Sequence, residues 1–241
     1  MYSSIAQNTQ KTLHKYILAA HILALALILF HLSKQIGFYD YFRSPLTYKA
    51  YLNLALVPLF YLGFFFGFKK AYLMLLIYLF CEFVTTLGHF WILADYDIFL
   101  LSKININKVA FVIMNYLLKT LIPLLSWSFT GLLYCKDLSH FNINKKNIIR
   151  LLIILIIIML IHTFFYAING YLCYLPSIKY ILKYNPYHNI LFANGITSFI
   201  IIFVLNLETV ITCNLLLLGC VIYLNPRLKV IYQTYFYDKK Q

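Results

Sequence analysis

Six stretches of nearly continuous apolar residues run along the chain, and short polar segments between them hold most of the charge. Their bounds fall near 16–36, 50–68, 71–94, 109–134, 148–174 and 190–224. An α-helix needs about 20 apolar residues to cross a hydrocarbon core roughly 30 Å thick, and each stretch is near or above that length. The pattern predicts an all-α, polytopic membrane protein, a single domain of six transmembrane helices. No Gly/Ser-rich or Pro-rich linker divides it. Pro58 predicts a kink in the second helix. The last stretch exceeds one span, which predicts a tilted helix or one broken near Asn206. Lys11 and Lys15 ahead of the first run resemble the start of a signal peptide, but Ser33-Lys34-Gln35 follows with no small-residue cleavage pattern. That run is expected to stay as the first helix.

The loops orient the bundle. With six crossings, the N-terminus, the 69–70 turn, the 136–147 loop and the C-terminal tail share one side and carry twelve of the 20 basic residues, against seven on the other side. The positive-inside bias therefore predicts that both termini are cytoplasmic, or face the equivalent compartment. The expected location is a bacterial or mitochondrial inner membrane. Polar breaks are expected at Arg43-Ser44-Pro45, at the Asn-Lys alternation of 103–108 and in a Tyr-rich linker at 176–186.

Composition removes other classes. Of the 241 residues, 63% are hydrophobic and 11% charged, too few to cover a soluble core of this size. The net charge of +13 would suit nucleic acid, but it is spread over short membrane loops and no soluble domain remains to present a groove. Nucleic acid is therefore not an expected partner. The lipid bilayer is, together with a second copy of the chain or the other subunits of a membrane complex. The five cysteines form no CxxC and are odd in number. No hydrolase, nucleotide or zinc-protease signature occurs and no nucleophile–base pair is evident, so no catalytic residues are assigned.

Ionisable residues inside the apolar runs are the candidate chemistry. Positions at i, i+4, i+7 and i+11 share a helix face. Tyr78, Glu82, Thr85 and His89 have that spacing, as do His162, Tyr166, Asn169 and Cys173, and Asn115, Lys119, Ser126 and Thr130 follow it apart from a vacant slot near Pro123. Thr197, Glu208 and Thr212 fall within about 60° of one another on the last run. At 1.5 Å per residue, Glu82 and Lys119 lie about 16 and 15 Å from the start of their runs, His162 lies about 16 Å along its run if the buried part starts at Leu151, and Glu208 is near the middle of its own. All four are expected near the midplane. An isolated charge there costs from about 2.5 kcal/mol upwards, so convergence into one cluster is the expected remedy.

The leading expectation is a small-solute or proton-coupled permease whose pathway is lined by Glu82, His89, Lys119, His162, Asn169 and Glu208, with Thr85 and Thr212 adding hydrogen bonds. Two alternatives use the same residues. In one, a non-catalytic subunit of a larger membrane complex uses them as packing glue between helices. In the other, His21, His31, His89 and His162 ligate haem in a redox subunit, although no paired spacing repeats. Gly63-Phe-Phe-Phe-Gly67 matches the GxxxG pattern and predicts a close helix contact or an oligomer seam. Phe192-Ala193-Asn194 with Leu207-Glu208-Thr209 faintly resembles the proton-channel subunit of rotary ATP synthases, but no Arg precedes the first element on its helix. No family is assigned.

Overall fold

The computed structural model describes residues 2–35, 54–101, 107–135, 137–174 and 195–236. The loop at 43–45, most of the 103–108 alternation, the linker at 176–186 and Phe192–Asn194 lie outside these residues. The described chain is all-helical. Helix α1 covers Tyr2–Gln35, α2 Leu56–Phe66 and α3 Phe68–Leu101. The fourth rod joins α4 (Lys108–Tyr116), a π turn (Leu117–Leu121), α5 (Ile122–Ser126) and a 3-10 stretch (Trp127–Leu133). Helix α6 (Lys145–Asn169) runs on through a second π turn (Gly170–Tyr174), and α7 covers Gly195–Phe236. Five spans are long and apolar enough to cross a membrane, the shorter apolar helix α2 being the sixth segment. The chain is a multi-pass integral membrane protein.

Asparagines start two of the rods. The Asn107 side chain accepts from the Val109 amide at 2.9 Å and caps α4. Asn144 accepts from the Asn147 amide at 2.8 Å and caps α6. Each satisfies one of the four amides that a helix leaves unpaired at its start.

Helix α2 is the departure from a six-rod bundle. Its 11 residues reach about 16 Å, half of the hydrocarbon core. Pro58 sits in its first turn, where an amide hydrogen is not needed, so it starts the helix and does not kink it. Ten of the 11 residues are buried, all except Val57. This is the core of the molecule: α2 is enclosed by α1, α3, the 3-10 stretch of the fourth rod and α7.

The GxxxG pair lets these backbones approach. A Cβ on Gly63 would strike Thr130 and Gly131, and one on Gly131 would strike the Gly67–Phe68 backbone. The motif therefore makes a contact within the chain, between α2 and the fourth rod. Gly67 itself has φ 77, a conformation open to glycine, and it reverses the chain between α2 and α3.

The rod ends gather at one end of the bundle. Phe65 stacks on Tyr232 with centroids 5.2 Å apart and 7° between planes, and packs on Phe141 at 5.7 Å. Lys229 Nζ donates to Asn142 Oδ1 at 2.7 Å. His14 lines the same groove as Ile231 and Tyr232. The start of α1, the α2–α3 turn, the 134–144 loop and the end of α7 thus lie together.

Helix α7 is continuous across Asn206, whose amide donates to the Ile202 carbonyl at 2.7 Å. The break expected at that residue is absent. Its 42 residues extend about 63 Å, with Pro226 inside. The Tyr61 hydroxyl donates to Asn225 Oδ1 at 3.0 Å beside that proline.

Candidate functional site

The fourth rod changes winding at Pro123, and the polar residues converge around that change. Pro123 has no amide to offer the preceding turn. Upstream, the Ile122 amide bonds back to the Leu117 carbonyl, the i−5 bond of a π turn. Downstream, the 3-10 tightening sends the Trp127 amide to the Leu124 carbonyl. The Pro123 carbonyl loses its helical partner, and two side chains replace it. His162 Nε2 donates to it at 2.7 Å and Ser126 Oγ at 2.7 Å. A carbonyl can only accept, so Nε2 carries the proton. The His162 ring meets Trp127 edge-on at 5.6 Å and lies 5.7 Å from Tyr166.

A second polar layer surrounds α4. Glu82 is buried. The Tyr116 hydroxyl lies near its carboxyl and donates to the Leu79 carbonyl at 2.7 Å. On the adjacent position of α4, Asn115 Oδ1 accepts from Asn169 Nδ2 at 3.0 Å. Consecutive residues of one helix thus reach α3 on one side and α6 on the other. Asn169, His162 and Cys173 are buried, as the α6 stripe requires.

Five expected positions fall elsewhere or are only half-buried. Lys119 is exposed. It sits inside the π turn, where the extra residue per turn shifts side chains off the α-helical register that placed it beside Asn115. Thr85 is exposed and Thr86 takes the buried place, its hydroxyl donating to the Glu82 carbonyl at 2.6 Å. On α7, Glu208, Thr197 and Thr212 are half-buried. The buried polar residues of α7 are Ser198, Asn206, Thr209, Asn214 and Asn225; Ser198 and Thr209 lie one position on from the expected Thr197 and Glu208. The Thr209 hydroxyl donates to Glu208 Oε2 at 3.3 Å. The His89 backbone is helical within α3, and its side chain lies outside the described residues.

One residue that the sequence pattern passed over is held on both ring nitrogens. His140, in the loop between the fourth rod and α6, accepts from the Cys135 amide at Nδ1 (3.1 Å) and donates from Nε2 to the Phe64 carbonyl at 3.0 Å. Its ring lies 4.6 Å from Phe64 and 4.5 Å from Phe141. Together with the Tyr232 hydroxyl, which donates to the Phe65 carbonyl at 3.3 Å, it caps the C-terminal carbonyls of the buried helix α2. Neighbouring Leu138 takes φ 59, rare for a non-glycine residue, and its buried side chain holds the tight bend in place. Asp137 accepts from the Ser139 amide at 3.1 Å and from its hydroxyl at 2.8 Å, and these bonds lower its carboxyl below the ordinary range.

Burial pushes the His140 imidazole down from 6.5 to about 4, against the opposing pull of the Phe64 carbonyl. The folded state therefore favours the neutral ring. Stability from this group is complete above pH 6.5 and declines as pH falls from 6.5 towards 4. The thermal midpoint of the detergent-solubilised chain is expected to drop across that window, and His140→Gln to flatten the drop while lowering the midpoint at neutral pH. A wild-type midpoint constant from pH 7 to 4.5 would show that the latch does not titrate.

All five cysteines are free thiols. Among the described residues no group of three or more His, Cys, Asp or Glu gathers as a metal site. No protein-family model, characterised protein or solved structure matches this chain.

Proposed function

We propose that this multi-pass membrane protein is a non-catalytic subunit of a larger membrane assembly, its inner polar residues holding the helices in register. The observation that carries this reading is the use made of the inner polar side chains. His162, Asn169 and Tyr116 each direct a hydrogen bond to a neighbouring rod, which is the work of packing between membrane helices. Lys119 is exposed about 15 Å along the span that begins at Val109, so a neighbouring subunit over this face would meet it near the middle of the hydrocarbon.

Native electrophoresis of gently solubilised source membranes tests this. The chain is expected in a species far larger than its 28.4 kDa, and Lys119→Glu is expected to release it as a folded single chain. Wild-type protein running as one copy overturns the reading.

A second reading, a small-solute or proton-coupled permease, is favoured by the altered winding of the fourth rod between Glu82 and His162. Discontinuous helices near the midplane form the binding sites of many transporters. Proton or solute flux in vesicles containing this chain alone, lost in Glu82→Gln, would carry that reading over the first.

A further inference from the structure

An apolar groove of about 700 Å³ lies between α1 and α7, with the buried helix α2 as its floor. Its walls include Ile17, Leu18, Leu25, Val57, Leu224 and Leu228. Three polar groups along it are already engaged. The Tyr61 hydroxyl bonds to Asn225 at 3.0 Å, the Tyr232 hydroxyl to the Phe65 carbonyl at 3.3 Å, and His21 Nδ1 to the Ile17 carbonyl at 2.7 Å. Such walls suit a hydrocarbon chain and not a solute with polar groups to satisfy.

The dimensions indicate which hydrocarbon. From His14 to Leu29 the α1 wall runs about 22 Å, and from Leu224 to Tyr232 the α7 wall runs about 12 Å. One leaflet of a 30 Å core is about 15 Å deep. The groove is therefore long enough to reach from one membrane surface to the midplane, along a helix that is itself half the membrane thickness. The surface it opens from is the end of the bundle where the rod ends gather. That end carries Lys15 next to His14, Lys69 and Lys70 at the start of α3, and Arg227 and Lys229 on α7, with Asp137 as the acidic residue there among the described residues. A basic rim attracts anionic headgroups by about 1 kcal/mol per Lys or Arg.

We propose that the groove is a binding site for a phospholipid with an anionic headgroup, its acyl chains lying between α1 and α7 and its phosphate at the basic end, beside Lys15. The site is independent of any assembly that covers the Lys119 face.

The test reconstitutes the full chain into vesicles of equal phosphatidylcholine and phosphatidylglycerol, extracts it gently and counts retained lipids by native mass spectrometry. Phosphatidylglycerol is expected to be retained over phosphatidylcholine by about fivefold for each basic residue that contacts it. Lys15→Gln is expected to remove most of the preference and leave retention itself. Leu25→Trp, at an exposed wall position, is expected to fill the groove and lower retention of both lipids severalfold, with helicity by circular dichroism unchanged. Equal retention of the two lipids by the wild type overturns the proposal. So does retention unaffected by Leu25→Trp, or recovery of a neutral lipophile or a peptide segment from the groove in place of phospholipid.

Discussion

Gly131→Ala is expected to destabilise the bundle by about 3 kcal/mol or more, the upper part of the range for overpacking a rigid site. A Cβ at Gly131 would lie 2.5 Å from the Gly67 carbonyl carbon and 2.5 Å from Phe68 Cα. Both are backbone atoms of the turn between α2 and α3, and neither can yield by changing rotamer. The opposing surface is equally closed, since a Cβ on Gly63 would lie 2.5 Å from the Gly131 amide nitrogen. The Thr130 hydroxyl crosses the same seam to the Phe60 carbonyl at 3.0 Å. Gly88→Ala is the control. Nothing lies within 4 Å of a Cβ there, and alanine is the better helix former by about 1 kcal/mol. In heated size-exclusion chromatography, Gly131→Ala should lose its monodisperse peak at a much lower temperature than wild type, with Gly88→Ala equal or slightly better. Similar behaviour of the two variants would mean that close backbone approach is not what holds α2.

His162→Leu should cost about 2–3 kcal/mol. It removes a 2.7 Å hydrogen bond to the Pro123 carbonyl and an edge-on ring contact with Trp127 in a buried site. His162→Gln offers a donor again and should recover part of the loss. The cause can be isolated, because the carbonyl is open only where the winding changes at Pro123. Restoring a regular helix with Pro123→Ala should make the His162→Leu penalty smaller in the double variant than in the single one. Strictly additive thermal midpoints would refute the link between the proline and the histidine.

Much of the architecture was legible from hydropathy alone. A bilayer imposes length and apolarity on each crossing, so all six segments appear in the sequence as apolar runs. The α6 stripe was also legible, because that helix is regular from His162 to Asn169 and α-helical spacing places both residues on the buried face. Lys119 was not, because the pattern extends α-helical geometry across Pro123 while the chain inserts a π turn upstream of it. Thr85 and Thr86 differ by one position, and only tertiary packing decides which faces inward. His140 carried no local signal at all. Its partner carbonyl belongs to Phe64, 76 residues away, in a helix too short for lipid to stabilise on its own.

That dependence sets an order for biogenesis. Helix α2 emerges from the ribosome early, but it is about half the length at which a translocon can release a segment into lipid as an independent span. The groups that cap its end are made later, the last being Tyr232, 167 residues after Phe65. At roughly 5–20 residues per second, that interval is on the order of 10–30 s. His140 reaches the Phe64 carbonyl earlier in that interval, but the Phe65 carbonyl waits for a partner on a much later helix, so the packing of α2 is completed only after α7 has been made.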